Sequence, residues 1–138
     1  MSQTRIYRDQ HNRLRELAGA MLALSPTAPC SEHRTALAKL GGTVKMHLKL
    51  EDDSLYPRLL QHKDPAVRAS AAALQQSMGA LAGTFTSFYE HWIKVGVIDE
   101  APAKYLDELR AVIDALAKRM DLEDRELYDM ADAQLVAV

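Results

Sequence analysis

The sequence predicts an all-α protein folded as an antiparallel, up-down-up-down four-helix bundle. Four segments repeat apolar residues at steps of three and four, as amphipathic helices do. The breaks between these segments are short, which favours antiparallel neighbours, and no stretch alternates in the manner of a strand. With 138 residues, 48% of them hydrophobic, the chain fits one globular domain spanning residues 1–138.

Helix-breaking residues mark the ends of the predicted helices. Ser25–Pro29 separates the first two segments, and Gly96–Pro102 precedes the fourth. Asp64 followed by Pro65 is a typical N-cap and first helical position for the third. Pro57 falls inside the second segment and predicts a kink or an early end there. The predicted helices cover about 3–24, 31–61, 65–94 and 101–132.

Polar residues interrupt the apolar faces of these helices. His47 and Glu51 are four residues apart on the second helix, so both project from its apolar face. His11 interrupts the apolar face of the first helix in the same way. An imidazole or carboxylate that faces a core must be paired, hydrogen-bonded or bound to a metal. Inward His and Glu from separate helices are how metal sites in helical bundles are built.

The chain also repeats itself, which predicts two copies of one helical hairpin. Residues 47–57 align with residues 119–129, and Leu, Glu, Asp, Leu and Tyr match at five positions. In this alignment Glu51 corresponds to Glu123, and His47 corresponds to Arg119. Equivalent positions of the two hairpins should therefore surround a shared centre.

These residues carry a resemblance to a known family. His11, the stretch His47-x-x-x-Glu51-Asp52-x-x-Leu55-Tyr56-Pro57 and its echo Glu123-Asp124-x-x-Leu127-Tyr128 resemble the hemerythrin-like cation-binding (HHE) domains. The resemblance covers nearly the whole chain. It implies an up-and-down bundle in which inward His and carboxylate side chains hold a non-haem di-iron centre. It also implies oxygen binding, iron handling, or the sensing of oxygen or redox state.

Two positions depart from the family pattern. The repeat should offer His at positions 78 and 119, but the chain has Met78 and Arg119. A thioether is a soft ligand that suits ferric iron poorly, and a guanidinium stays protonated. A positive charge about 6 Å from a divalent ion opposes it by roughly 5 kcal/mol at an effective dielectric of about 20. We therefore expect an incomplete site rather than a full di-iron centre.

Three interpretations of the incomplete site stay open. His11, His47, Glu51 and Glu123 would be four ligands, enough for one divalent metal, Fe²⁺ or Zn²⁺. The same groups with Arg119 could instead form a metal-free ion-pair network that acts through protein contacts. A di-iron oxygen-binding protein is the third interpretation. No nucleophile or phosphate-loop motif is present, so we expect a sensing, regulatory or metal-binding module rather than an enzyme.

Charge and cysteine content bear on partners and location. Seventeen Lys and Arg against nineteen Asp and Glu give a net charge of −2, without the basic excess that nucleic acids require. Residues 69–89 are uncharged, but their hydroxyls and amides suit a helix inside the bundle better than a membrane span. The single Cys30 cannot form an internal disulfide, and the polar N-terminus lacks a signal-like stretch. We expect a cytoplasmic protein without nucleic-acid or membrane partners.

The third helix predicts one contact surface. Gly79 and Gly83 are four residues apart and let another helix approach closely. That helix could belong to the same bundle, or to a second copy in a two-fold homodimer. A regulatory protein partner is also expected, and the sequence does not identify it.

Overall fold

The computed structural model describes residues 3–135, which form helices joined by short connections. The elements are α1 (Arg5–Ala23), α2 (Cys30–Leu50), a π turn (Glu51–Leu55), α3 (Tyr56–Leu60), α4 (Pro65–Trp92), α5 (Val97–Glu100), α6 (Pro102–Leu122), a second π turn (Glu123–Leu127) and α7 (Tyr128–Gln134). No strand occurs between residues 3 and 135. The predicted all-α class is confirmed.

The four predicted helices are present with small changes at their ends. Asp64 caps α4 as expected, because its side chain accepts a hydrogen bond from the Ala66 amide at 2.9 Å. Gly96, with φ of 83°, ends the connection after α4 in the left-handed region that glycine tolerates. Beyond it the chain makes the short extra helix α5 before α6.

Of the two outcomes predicted at Pro57, a kink or an early end, the early end does not occur. The helix continues through α3, and Pro57 lies in the first turn of α3, directly after the π turn. A proline is tolerated there, since the first turn of a helix does not require its missing amide hydrogen. The second π turn has no proline at the matching position, so proline is not what produces these turns.

The π turns follow from the spacing of the inward residues. His47, Glu51, Leu55 and Leu59 are separated by steps of four with no step of three. An α-helix has 3.6 residues per turn, so each step of four drifts by about 40°. The wider turn absorbs this drift, and both Leu55 and Tyr56 become buried. The same spacing recurs around the second π turn in the other half of the repeat.

The helices enclose two clusters of buried apolar residues. α1 packs along α2 and contacts α6, while α4 contacts α2, α3 and α6. The larger cluster includes Leu14, Leu40, Val44, Phe88, Trp92 and Leu116. The smaller one includes Tyr7, Leu55, Tyr56, Leu59, Leu127 and Tyr128. The inward polar residues of the long helices lie between these two clusters along the chain.

The burial of α4 differs from the expectation. Its apolar face is buried at Val67, Ala71, Met78, Phe85 and Trp92, but the opposite face is exposed. Gly79 and Gly83 lie on the exposed face, and a Cβ at either would meet nothing within 4 Å in the described part of the chain. The alternative in which they admit a neighbouring helix of the same bundle is therefore wrong. No helix within the described residues is both long and apolar enough to span a bilayer.

Candidate metal centre

The two predicted histidines meet in the interior of the bundle. His11 comes from α1 and His47 from the last turn of α2, and both are almost completely buried. Their Nε2 atoms are 3.0 Å apart. Two histidines from different helices thus bring their Nε2 atoms into direct contact.

Each histidine is oriented by an oxygen at its other ring nitrogen. His11 Nδ1 donates to Asp124 Oδ1 at 2.9 Å, and His47 Nδ1 donates to Gln10 Oε1 at 2.6 Å. Asp124 is held in turn by Arg15, at 2.6 Å. These hydrogen bonds place a proton on each Nδ1 and direct both Nε2 atoms into the cluster, where an Nε2 atom can hold either a proton or a metal ion. Such outer hydrogen bonds are what fix metal-binding histidines in proteins.

Two buried carboxylates complete the cluster, and each lies where a π turn begins. Glu123 Oε1 is 3.0 Å from His11 Nε2 and 4.0 Å from His47 Nε2. Glu51 Oε1 is 3.1 Å from His47 Nε2, without the geometry of a hydrogen bond. All four residues predicted from the sequence are therefore close together, at exposures of 3% or less.

Tyr128 is a member of the cluster that the sequence interpretation missed. Its hydroxyl donates to Glu51 Oε2 at 2.8 Å and lies 3.0 Å from His11 Nε2 and 3.4 Å from His47 Nε2. Burial, followed by the charges of Glu51 and Glu123, raises the pKa of Tyr128 far above its usual value. The repeat already contained a signal, because Tyr128 matches Tyr56 in the motif.

The two departures from the family pattern also face this region. Arg119 is 8% exposed, and its Nη atoms donate to Ser77 Oγ and to the Leu74 carbonyl of α4, both at 2.7 Å. Its Nε lies 3.5 Å from Glu123 Oε2. Met78 is also buried, and it directly follows Ser77, the residue that accepts a hydrogen bond from Arg119. A buried cation thus lies beside Glu123, where the repeat would provide another imidazole.

The charges of the cluster shift its pKa values in opposite directions. Burial lowers the pKa of His47, but the carboxylates of Glu123 and Glu51 outweigh burial and raise it to about 9. Burial raises the pKa of Glu123, but hydrogen bonds from His11 and His47 and the charge of Arg119 lower it to about 2. With no metal bound, the cluster therefore holds a proton on imidazole and keeps Glu123 ionised.

The donor set fits one small divalent ion. The structure groups ligand atoms of His11, His47 and Glu123 within 4.8 Å of one another. His11 Nε2, His47 Nε2 and Glu123 Oε1 form a triangle with sides of 3.0, 3.0 and 4.0 Å. A point about 2.0 Å from all three atoms exists in their plane, which is the usual distance of His nitrogen and carboxylate oxygen from Zn²⁺. A small shift of the side chains would narrow the angle between His47 and Glu123 at that point toward a tetrahedral arrangement. Glu51 Oε1 and Glu123 Oε2 have no hydrogen-bond partner among residues 3–135.

Comparison with known proteins agrees with this geometry. Residues 2–131 match the family described as the hemerythrin HHE cation binding domain. Neither the curated proteins nor the solved structures give a significant match. The match covers nearly the whole chain and includes all the residues of the cluster, which confirms the resemblance seen in the motifs. This chain belongs to the hemerythrin HHE cation-binding domain family.

Proposed function

We propose that this chain binds one divalent metal ion, Fe²⁺ or Zn²⁺, through His11, His47, Glu51 and Glu123, and that it works as a sensing or regulatory module rather than as an enzyme. The observation that carries the proposal is the pair of Nε2 atoms 3.0 Å apart. Two imidazole nitrogens at that distance attract each other only when a proton or a metal ion lies between them. A metal ion is the cation for which oriented imidazoles are suited.

The surrounding groups support a metal over a purely structural role. Asp124 and Gln10 accept hydrogen bonds from the two Nδ1 atoms, which leaves both Nε2 atoms as the positions that would bind a metal. Tyr128 orients Glu51 through one oxygen and leaves the other beside His47. A bound Fe²⁺ would supply redox and oxygen chemistry, whereas Zn²⁺ would supply a Lewis acid or a structural link.

Arg119 supports one metal rather than two. Its guanidinium is anchored to α4 by two hydrogen bonds and lies beside Glu123. A fixed positive charge at this place replaces the charge of a second metal ion, and a guanidinium cannot act as a ligand.

We also propose that the long helices are antiparallel. The contacts of α1 with α2, of α3 with α4 and of α4 with α6 support this arrangement. With one cysteine and no disulfide, a cytoplasmic location remains our expectation.

A metal-free network is the second candidate, and a specific observation favours it. The pKa of His47 is raised to about 9, so a proton can occupy the place between the imidazoles and the carboxylates. One imidazolium and Arg119 would then balance Glu51 and Glu123 without any ion. In this case the bundle would act through contacts with other proteins.

Metal content per chain separates these functions. Protein purified without a metal-chelating tag should contain close to one equivalent of Fe or Zn by elemental analysis, and His47→Ala should reduce it to background while helicity persists. His91→Ala is the matched control, since His91 is exposed on α4 and outside the cluster. Its metal content should equal that of the wild type.

Titration of stripped protein provides the decisive outcome. Calorimetry with Zn²⁺, and with Fe²⁺ under anaerobic conditions, should give a stoichiometry near one that His47→Ala abolishes. A folded protein that binds neither ion would reject the metal site in favour of the network. Two equivalents with an oxo-bridged di-iron absorption would reject the single-metal proposal in favour of the third interpretation.

A further inference from the structure

We infer that a cavity beside the His–Glu cluster is a binding site for a small, uncharged, mainly apolar molecule with one hydroxyl group, such as a phenol. The inference goes beyond the proposed metal site and does not require a bound metal. It rests on the volume of the cavity, the chemistry of its walls and two buried polar atoms without hydrogen-bond partners on residues that line it.

The cavity is large enough for a single aromatic ring. It has a volume of about 250 Å³ and lies between α1, α2, α4 and α6. A dry apolar cavity of about 150 Å³ already holds benzene in a protein interior. Its walls are mostly aliphatic, and they include Leu14, Leu40, Val44, Met78, Ile113 and Leu116. Walls of this kind favour an apolar occupant.

The polar part of the cavity wall, which includes His11 and His47, is incompletely hydrogen-bonded. Arg119 and Glu123 both line the cavity, and both side chains are more than nine-tenths buried. Arg119 Nε and Glu123 Oε2 lack hydrogen-bond partners in the described chain, and they are 3.5 Å apart. One hydroxyl group can accept from this Nε–H and donate to this carboxylate oxygen, which satisfies both atoms.

The same pair disfavours a charged occupant. A carboxylate near Arg119 would also face Glu123, which already balances the guanidinium. An ammonium near Glu123 would face Arg119 in the same way. A neutral donor–acceptor group avoids both repulsions, so an alcohol or phenol fits better than an acid or an amine.

An entry route exists at the outer end of the cavity. Gly19 and Leu22 of α1 line the cavity, and both are exposed. A Cβ at Gly19 would meet nothing within 4 Å among the residues described. The missing side chain at Gly19 thus keeps this end open, and a larger side chain there should narrow it.

The test compares phenol with toluene, which has nearly the same shape but no hydroxyl. Metal-free protein in excess chelator is titrated with each, and amide resonances are followed by ¹H–¹⁵N NMR. We expect saturable shifts at the residues lining the cavity, with phenol binding about tenfold more tightly than toluene. Benzoate should bind more weakly than phenol. Equal affinities for phenol and toluene, or no saturable shifts, would overturn the inference.

Two variants that narrow the cavity keep the test independent of folding defects. Gly19→Leu and Ala117→Leu both add volume at lining positions, and each should weaken phenol at least tenfold with the helical signal unchanged. Ala111→Leu is the control, because Ala111 is exposed on the same helix as Ala117 and does not line the cavity. If the folded cavity variants bind phenol as the control does, the site lies elsewhere and the inference is wrong. Because metal is absent throughout, failure here would leave the proposed metal site standing.

Discussion

At the scale of single residues, the two halves of the repeat carry side chains of different chemistry at equivalent positions. His47 can be neutral or charged, whereas Arg119 at the equivalent position is always charged. Both contact the carboxylate of Glu123, at 4.0 and 3.5 Å. The Glu123 carboxylate therefore has the permanent charge of Arg119 on one side. On the other side is His47, which can bind either a proton or a metal ion but not both at once.

The metal-free protein should lose stability as the pH rises from about 6.5 to about 9. The pKa of His47 is raised from 6.5 to about 9 in the native state, so the folded chain keeps a proton that the unfolded chain releases. The stabilisation by this proton is complete at pH values below the pKa of His47 in the unfolded chain. It is lost as the pH rises through the pKa of His47 in the native chain, and the free energy of unfolding should fall by about 3 kcal/mol.

Urea unfolding in chelator at about pH 6, 7.5 and 9 measures this loss. His47→Gln should flatten the profile over that range, because its amide does not titrate. A wild-type stability that stays constant across the range would show that His47 is neutral in the native protein.

Arg119→His should have opposite effects on metal binding and on stability. The substitution adds an imidazole where the repeat has one, so affinity for Zn²⁺ should rise, and Met78→His in addition should approach a two-metal site. Without metal, loss of the partner of Glu123 and of two hydrogen bonds to α4 should cost about 3–5 kcal/mol.

Calorimetric titration and urea unfolding test the two effects separately. Arg110→His is the control on the same helix, since Arg110 is exposed and its ion pair with Asp107 lies at the surface. It should change neither quantity. An Arg119→His protein with unaltered stability and unaltered zinc affinity would contradict our account of Arg119.

At the scale of helices, the π turns bring the carboxylates and the tyrosine of the cluster into one interior. Glu51 and Glu123 begin the two turns, and Tyr56 and Tyr128 follow them directly. In a regular α-helix a side chain five residues further on is rotated by about 140°, so each tyrosine would point away from the carboxylate that precedes it. Such turns are often found where helices carry functional residues.

The adjacent glycines of α2 give a prediction about helix packing. A Cβ at Gly41 would overlap the ring of Tyr89 on α4, whereas a Cβ at Gly42 would meet nothing within 4 Å in residues 3–135. Gly41→Ala should therefore destabilise the protein by about 1–3 kcal/mol, because the ring must move. Gly42→Ala should stabilise it by about 0.5–1 kcal/mol through helix propensity.

Thermal and urea unfolding of the two single variants form a matched pair. Both variants replace glycine by alanine at neighbouring positions. The difference between their free energies of unfolding therefore measures the effect of the close approach of α2 and α4. Equal effects of the two substitutions would mean that Tyr89 does not pack on Gly41.

At the scale of the whole molecule, one long face has no partner within the described chain. The exposed side of α4 carries small and uncharged residues, including Ala72, Ala73, Gln76, Gly79 and Gly83. Since no helix within residues 3–135 covers these glycines, a homodimer through this face stays a prediction.

Gly83→Leu tests that prediction directly. We expect the wild type at about 100 μM to have the mass of two chains by light scattering, and the variant to be a folded monomer. The variant should not lose intrinsic stability, because Gly83 is exposed and leucine favours a helix more than glycine does. Ala111→Leu, on an exposed position of α6, should leave the mass unchanged. A monomeric wild type at this concentration would contradict the dimer.

The sequence by itself determined the helices, the repeat and the inward position of His11, His47, Glu51 and Glu123. Helical periodicity and capping are local properties, so they can be read from neighbouring residues. The departure of Arg119 from the repeat was visible in the same way, and the structure buries Arg119 beside Glu123.

Only the tertiary structure decided how these residues meet. Asp124 and Gln10 orient histidines that lie on other helices, and Tyr128 reaches Glu51 across the bundle. The anchoring of Arg119 on α4 and the cavity between four helices also depend on how each helix is rotated against its neighbours. That rotation is set by packing and by the π turns, because contacts between distant segments are not fixed by the local pattern of either segment.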